Sequence, residues 1–299
     1  MASRFTEPTA RQVRLGHALE ALRLERLPAE DRSLRKVAGV LGWDPSKLSR
    51  IETGRLGISE VDLERLFTLY GVKDKGPDGT VRLKIIELKR KGNERGWETQ
   101  VRDVVNVEYA DYIAYEGDAE SMYSAQPMLV PGLLQTHDYA SAVLGEHLTD
   151  IPTEEREERL AIRARRQEVF ERPNPPMFWG VISESVLRHV IGSPEIMADQ
   201  LDRLLERCAN NPHNTNIQVL REESSTHASL FGPFVILSFP ERWEPDIVYV
   251  EGYTENRFLE DAKRVKWHSD LFRRLMKEAL TGPESVQMIG RYADRYRKG

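Results

Sequence analysis

Apolar side chains recur at helical spacing almost from the start of the chain. Between Thr9 and Leu27, one stripe carries Leu15, Leu19 and Leu22 and a second carries Val13, His17 and Leu24, with Arg and Glu between them; this predicts a helix. LPAEDRS interrupts the period, and Ser33 stands where an N-cap would open the next helix. Two short helices are expected, then the loop GRLGIS. Ser59 opens a further helix to Tyr70, with Val61, Leu63, Leu66, Phe67 and Tyr70 as its apolar face and Gly71 as its stop. KDKGPDGT is linker-like, and a charged helix from about Thr80 to Gly92 follows.

From Trp97 the character changes. A helical pattern runs from Val104 to Tyr123, and QPMLVPGLLQTHDYASAVL predicts a Pro-Gly turn followed by a helix. IPTEEREERLAIRARRQEVFERP is a strong helix. Thr153 is its expected cap, Glu154 and Glu155 suit its first turn, and Glu155 pairs with Arg159 at i,i+4. Four runs read as strands: MFWGVIS, NIQVL, FVILSF and DIVYVEG. A helix from about Ser193 to Ala209 separates the first two, and RFLEDAKRVKWHSDLFRRLMKEAL and the C-terminal segment read as helices. The expectation is an N-terminal all-α domain over residues 1–76, a connecting segment over 77–96, and a C-terminal α+β domain over 97–299 with a small sheet of about four strands.

The stretch from Leu34 to Ile51 carries several constraints at once. With Leu34 as first residue of a helix, Ala38 falls where two helices cross and only a small side chain fits. Gly42 falls in the turn, where a left-handed backbone favours glycine. Val37, Leu41, Trp43, Leu48 and Ile51 occupy inward positions, while Asp44 caps the second helix with Pro45 in its first turn. This is the pattern of a helix-turn-helix, whose second helix enters the major groove. Ser46, Lys47, Ser49 and Arg50 lie near the start of that helix and can reach base edges or phosphates. Ser33, Arg35 and Lys36 at the preceding helix start, and Arg55 beyond the second helix, suit phosphate. Glu52 would repel phosphate if it faced DNA, so it is expected to turn inward and pair with Arg23. An ordinary helical hairpin with solvated charges is the alternative.

SLRKVAGVLGWDPSKLSRIETGRLGISEVDLERLFTLYGV, and LSRIETG in particular, resembles the Xre/Cro family of DNA-binding domains over roughly residues 9–72. The resemblance implies a compact five-helix, lambda-repressor-like domain that usually binds DNA as a dimer; LPAEDRS is a little longer than the family's usual connection. The remainder, from about Trp97 to Ile289, resembles a domain of unknown function found behind such units in actinomycete regulators of the Scr1-type, antitoxin-like group. YEGDAESMYSAQPMLVPGLLQTHDYASAVL, RLAIRARRQEVF, SESVLRHVIGSPEIMADQLDRL and DIVYVEG carry that resemblance, and VPGLLQT is its most specific piece. It implies transcriptional regulation and a small protein partner, often encoded nearby.

Charge sharpens the division. The net charge of −5 splits into +5 over residues 1–100 and −10 over the rest, which suits nucleic acid at one end only. A single cysteine, Cys208, excludes a disulfide framework and a cysteine-based zinc cluster. No Gly-rich phosphate loop, G-x-S-x-G elbow or His-x-x-x-His pair is present, so neither an enzyme, a cofactor nor a metal is expected. MASRFTEPTARQVRLGHALE lacks the apolar core of a signal peptide and no run is long enough to span a bilayer; a cytoplasmic protein is expected.

In the C-terminal part, Glu116, Glu120, Gln135, Arg163, Arg166, Gln167, Glu184 and His227 lie among apolar residues and need partners if buried. They read either as a pocket for a small-molecule effector or partner, or as internal salt bridges such as Glu120 with Arg166. Two functions stay open. One is a transcriptional regulator, a homodimer on a double-stranded DNA operator whose C-terminal domain receives a signal. The other is an antitoxin-like protein that mainly holds a small partner and binds DNA for autoregulation.

Overall fold

A computed structural model describes residues 8–93, 97, 101, 104–147, 152–210, 214–224, 232–241, 244–252 and 255–298. The chain divides into two compact units. The first is Met1–Gln100 with Ala110–Tyr115 and Pro240–Pro245; the second is Val101–Tyr109, Glu116–Phe239 and Asp246–Gly299.

The first unit is built on α1 (Ala10–Arg26), α2 (Leu34–Leu41), α3 (Pro45–Glu52), α4 (Glu60–Leu69) and α5 (Pro77–Asn93). Local chemistry sets the helix starts. Thr9 and Gln12 form a reciprocal capping box at α1, and the hydroxyls of Ser33 and Ser59 cap α2 and α4. Leu15, Leu19 and Leu22 of α1 meet Val37 and Leu41 of α2, Leu48 and Ile51 of α3, Leu63, Leu66 and Phe67 of α4, and Ile85 of α5 in one core. Truncating a fully buried side chain such as Phe67 to Ala would cost about 3–5 kcal/mol. The core stripes are narrower than the sequence suggests: Leu24 is 43% exposed and Val61, in the first turn of α4, is 71% exposed. α1 and α3 approach so closely at Gly16 that a Cβ there would lie 2.3 Å from the Glu52 carbonyl oxygen.

The second unit contains the whole of a mixed sheet and its helices, save that Ala110–Tyr115 belong to the first. α6 (Val107–Asp118) leads into β1 (Ser121–Gln126), a short 3-10 turn (Gly132–Leu134), α7 (His137–His147) and α8 (Thr153–Gln167), which runs into a second 3-10 turn (Glu168–Glu171). β2 (Met177–Ser183), α9 (Glu184–Arg188), α10 (Pro194–Asn210), β3 (Thr215–Leu220), β4 (Phe234–Ser238), β5 (Ile247–Val250) and β6 (Arg257–Leu259) follow, then α11 (Ala262–Glu278) and α12 (Gly282–Lys298). The strand order is β3-β2-β1-β4-β5-β6. β1, β2 and β3 are mutually parallel, with Tyr123 opposite Trp179 and Trp179 opposite Asn216; β4, β5 and β6 add antiparallel, with Tyr123 opposite Ile236.

Alternation sorts the strand side chains onto two faces. Ala125, Val181, Phe234, Ile236 and Val248 meet Leu271, Phe272 and Leu275 of α11. Met122, Phe178, Ile182, Ile217 and Val219 are buried on the opposite face, where Phe170 meets Phe178 edge-on with ring centres 6.0 Å apart. Burial on both faces explains the unbroken apolar run of β4. The free edge of β3 is closed by the α11–α12 connection. Val219 donates to Ser285 Oγ and accepts from the Leu280 amide, each at 2.9 Å.

An α+β unit was expected, but six strands replace about four. β1 begins within the segment expected to continue as helix to Tyr123, and β6 lies within the expected start of α11. SMYSAQ carries no clean strand alternation; it is extended because β2 and β4 pair with it from both sides. Thr153 is the first residue of α8, not its cap: Pro152 holds that place and no side chain bonds there.

Candidate nucleic-acid interface and the buried polar cluster

The turn between α2 and α3 is locally determined. Gly42 adopts φ +68°, and the Trp43 amide reaches back to the Ala38 carbonyl at 2.8 Å, closing α2 in a Schellman manner. Asp44 Oδ1 accepts from the Ser46 amide at 2.8 Å and opens α3. Hydrogen bonds from the Ser46 side chain and backbone hold the Asp44 carboxyl below its ordinary range. Ala38 is completely buried at the crossing. Arg65 of α4 donates to the Leu41 carbonyl and fixes the end of α2 from outside.

Glu52 turns inward. Arg23 Nε and Nη2 donate to its two carboxylate oxygens at 2.7 Å each, and both side chains are almost fully buried. Burial pushes the Glu52 carboxyl up while the Arg23 contact draws it down; the same bond raises Arg23. The one acid of α3 is thereby removed from the outer surface.

That outer surface carries the candidate contacts. Ser33, Arg35, Lys36, Ser46, Arg50 and Arg55 are exposed, and Lys47 and Ser49 are half-exposed. Among the described residues, Arg35, Arg50 and Arg55 make no ion pair. Lys36 pairs weakly with Asp31 at 3.3 Å, and the Ser33 hydroxyl is occupied by its capping bond to the Lys36 amide. Lys47 departs from the expected picture. Its Nζ lies 2.8 Å from Asp62 Oδ2 of α4 and 4.2 Å from the centre of the Trp43 ring, so it ties α3 to α4. Asp62 and Arg65, which frame this contact, were not legible as partners because they lie on another helix.

In the second unit the expected polar cluster is only partly assembled. Arg166 makes a two-pronged pair with Glu116 at 2.8 and 2.7 Å, both buried, and its guanidinium also bonds the Tyr109 hydroxyl. The expected partner, Glu120, is instead exposed at the start of the sheet, where its backbone bonds Ser238 and Met177. α6 ends at Asp118, so Glu120 never shares the helical stripe of Glu116. Gln135 donates to the Val130 carbonyl at 2.8 Å and accepts from Arg163, while Gln167 donates to the Gln135 carbonyl at 2.7 Å. Gln200, absent from the expected set, receives the Thr136 amide at 2.7 Å and donates to the Leu134 carbonyl at 2.9 Å. Its signal was a Gln between Met197, Leu201 and Leu204 on the apolar side of α10. Glu184 belongs to a different place, after β2, where it accepts from the Tyr292 hydroxyl at 3.0 Å. His227 lies outside the described residues.

The hydrogen bonds of Gln135, Arg163, Gln167 and Gln200 thus converge on the irregular segment from Val130 to Thr136, while Glu116 and Arg166 bond each other. Among the described residues no cluster of His, Cys, Asp or Glu could hold a metal, and no helix is long and apolar enough to cross a membrane.

The geometry of α2 and α3 defines a helix-turn-helix protein, and residues 14–76 match the family described as a helix-turn-helix domain. Residues 109–291 match a second family, described as a domain of unknown function (DUF5753). That match covers more than half of the sequence: the chain belongs to the DUF5753 family. No curated protein and no solved structure matches it.

Proposed function

We propose that the chain is a sequence-specific transcriptional regulator of the Xre/Cro type. The segment over residues 1–76 binds an operator as a homodimer with α3 in the major groove, residues 77–96, whose α5 packs into the same core, lead on from it, and residues 97–299 receive a signal in the cytoplasm. The observation that carries this reading is the outer face of α3. Ser46, Ser49 and Arg50 point outward from a helix whose only acid is buried against Arg23. Arg50 and Ser49 read bases, Ser46 assists at the helix start, and Arg35, Lys36, Ser33 and Arg55 meet phosphate. Lys47, already engaged by Asp62, contributes charge more than base recognition.

The test is fluorescence anisotropy on DNA from the region upstream of the gene, with salt titrated. Tight binding with a steep salt slope is expected. Arg50→Ala should cost about 1–3 kcal/mol on the operator and relax choice at one position. Equal loss on every sequence would demote Arg50 to a phosphate contact.

The antitoxin-like reading draws on α11. Trp267 is 48% exposed there, beside the exposed Lys263, Arg264 and Arg274 and a Lys266 paired with Asp270 at 2.8 Å, a net basic face with an aromatic centre that suits an acidic protein partner. Coexpression with the product of a small neighbouring reading frame tests it. A stoichiometric complex lost in Trp267→Ala supports this reading, and no complex removes it.

A further inference from the structure

A cleft of about 380 Å³ opens in the second unit beside the carboxyl ends of β2 and β3. Glu184 follows β2 directly, and Arg221 and Glu223 follow β3. The facing wall is α12, which presents Glu284, Gln287, Met288 and Arg291 at i, i+3, i+4 and i+7, one continuous helical face. The carboxyl ends of parallel strands are where open sheets place their ligands, because the connections diverge there and leave a crevice. The volume lies within the range of small-molecule sites.

Its chemistry narrows the ligand. Met288 and Leu280 are the apolar members of a lining otherwise made of charged and amide groups, so an apolar ligand would bury too little and strand polar groups. Three carboxylates stand against two guanidiniums, a net charge of −1. The acids are individually tethered. Glu284 accepts from the Thr281 amide at 2.9 Å, Glu184 from the Tyr292 hydroxyl, and Glu223 from Arg221 at 2.6 Å. Arg291 is exposed and, among the described residues, makes no ion pair; Gln287 beside it has both ends of its amide available.

We infer that this cleft binds a small amino-acid-type zwitterion of net charge +1, its carboxylate received by Arg291 and Gln287 and its cationic groups by the tethered carboxylates. The inference rests on the reading of the second unit as the signal-receiving part and gives that signal a chemical class. The ligand supplies the anion that Arg291 lacks, and its two cationic groups offset the excess of acid. None of the buried polar residues around Val130–Thr136 takes part.

Isothermal titration of the full chain with L-lysine and L-arginine tests the site, with glutarate and putrescine as probes lacking the ammonium or the carboxylate. Saturable one-to-one binding of L-lysine or L-arginine is expected, at least tenfold tighter than either control. Arg291→Ala should weaken it at least tenfold with an unchanged melting temperature, since the side chain is exposed. Glu184→Gln should weaken it by a smaller factor. No saturable binding of either amino acid, equal binding of putrescine, or binding unchanged by Arg291→Ala would each overturn the inference. Operator anisotropy with and without the amino acid separates the two readings: ligand binding that leaves DNA affinity unchanged keeps the site and removes the signal, whereas DNA binding by a chain that takes up no amino acid removes the site and keeps the regulator.

Discussion

Glu52→Gln is the most informative single change in the first unit. The substitution keeps the side-chain volume and one acceptor, but removes the counter-charge of Arg23 at a site where the two side chains are 6% and 5% exposed. One of two charge-assisted bonds at 2.7 Å is lost or weakened, worth about 1.5–3 kcal/mol, and the buried guanidinium keeps only the Arg32 carbonyl and the more distant, half-exposed Glu20 at 3.4 Å. Breaking such a pair from one side costs about 3–5 kcal/mol in all. For a unit of this size that is a fall in melting temperature of roughly 12–40 °C, a large share of a total stability of about 5–15 kcal/mol. Hydrogen exchange on the full chain reads it locally: amides of α1, α2 and α3 should lose protection while those of β1 and β2 keep theirs. Arg23→Met/Glu52→Leu provides the control. Replacing both charges removes the desolvation cost along with the attraction, so the double variant should recover most of the loss, short of the bond Arg23 gives to the Arg32 carbonyl. A loss below about 1 kcal/mol in Glu52→Gln, or a double variant worse than both single ones, would refute the argument that the pair is held by mutual charge compensation.

Other consequences follow from the same contacts. Gly16→Ala places a methyl 2.3 Å from the Glu52 carbonyl oxygen and 2.8 Å from that of Ile51, so α1 and α3 must part; a cost of at least about 1–3 kcal/mol is expected in chemical denaturation, and a neutral result would show that the helices separate freely. The Asp62 carboxyl is held below its ordinary range, chiefly by the hydrogen bond from Lys47. Its contribution to stability is therefore fully present above the unfolded value of about 3.9 and is lost as pH falls through the folded value. Asp62→Asn should lower stability at neutral pH by up to about 1 kcal/mol and converge with wild type in acid; a gap that does not narrow would count against the pairing. Glu116→Ala leaves Arg166 buried without its acid and should cost the second unit about 3–5 kcal/mol, measured by thermal unfolding, with operator affinity at permissive temperature as the readout that a direct role in DNA binding would move.

What was legible in the sequence is what is decided locally. From Leu34 to Ile51, the cap, the left-handed glycine, the small residue at the crossing and the inward apolar positions are each fixed by neighbours a few residues away. The inward turn of Glu52 was legible because an acid on α3 has one electrostatically tolerable direction. The second unit resisted for the opposite reason. SMYSAQ becomes a central strand only because β2, more than fifty residues on, and β4, more than a hundred on, flank it. Glu116 and Glu120 looked equivalent at a spacing of four until α6 stopped at Asp118. Arg221 and Arg291 share one cleft only because α12 lies along β3, a placement that no local period encodes.

The polar residues of the second unit thereby separate into two kinds with different consequences. Around Val130–Thr136 the backbone is irregular and buried, so its amides and carbonyls need side-chain partners, and Gln135, Gln167 and Gln200 supply them while Arg163 bonds Gln135. Residues bound this way have little capacity left for a ligand, since recruiting them would expose the same backbone groups they satisfy. The bonds onto VPGLLQT therefore serve the architecture of this segment. Capacity for a ligand resides where an accessible charged group lines a cleft, and Arg291 of α12 does so at the end of the parallel strands, away from the pinned segment.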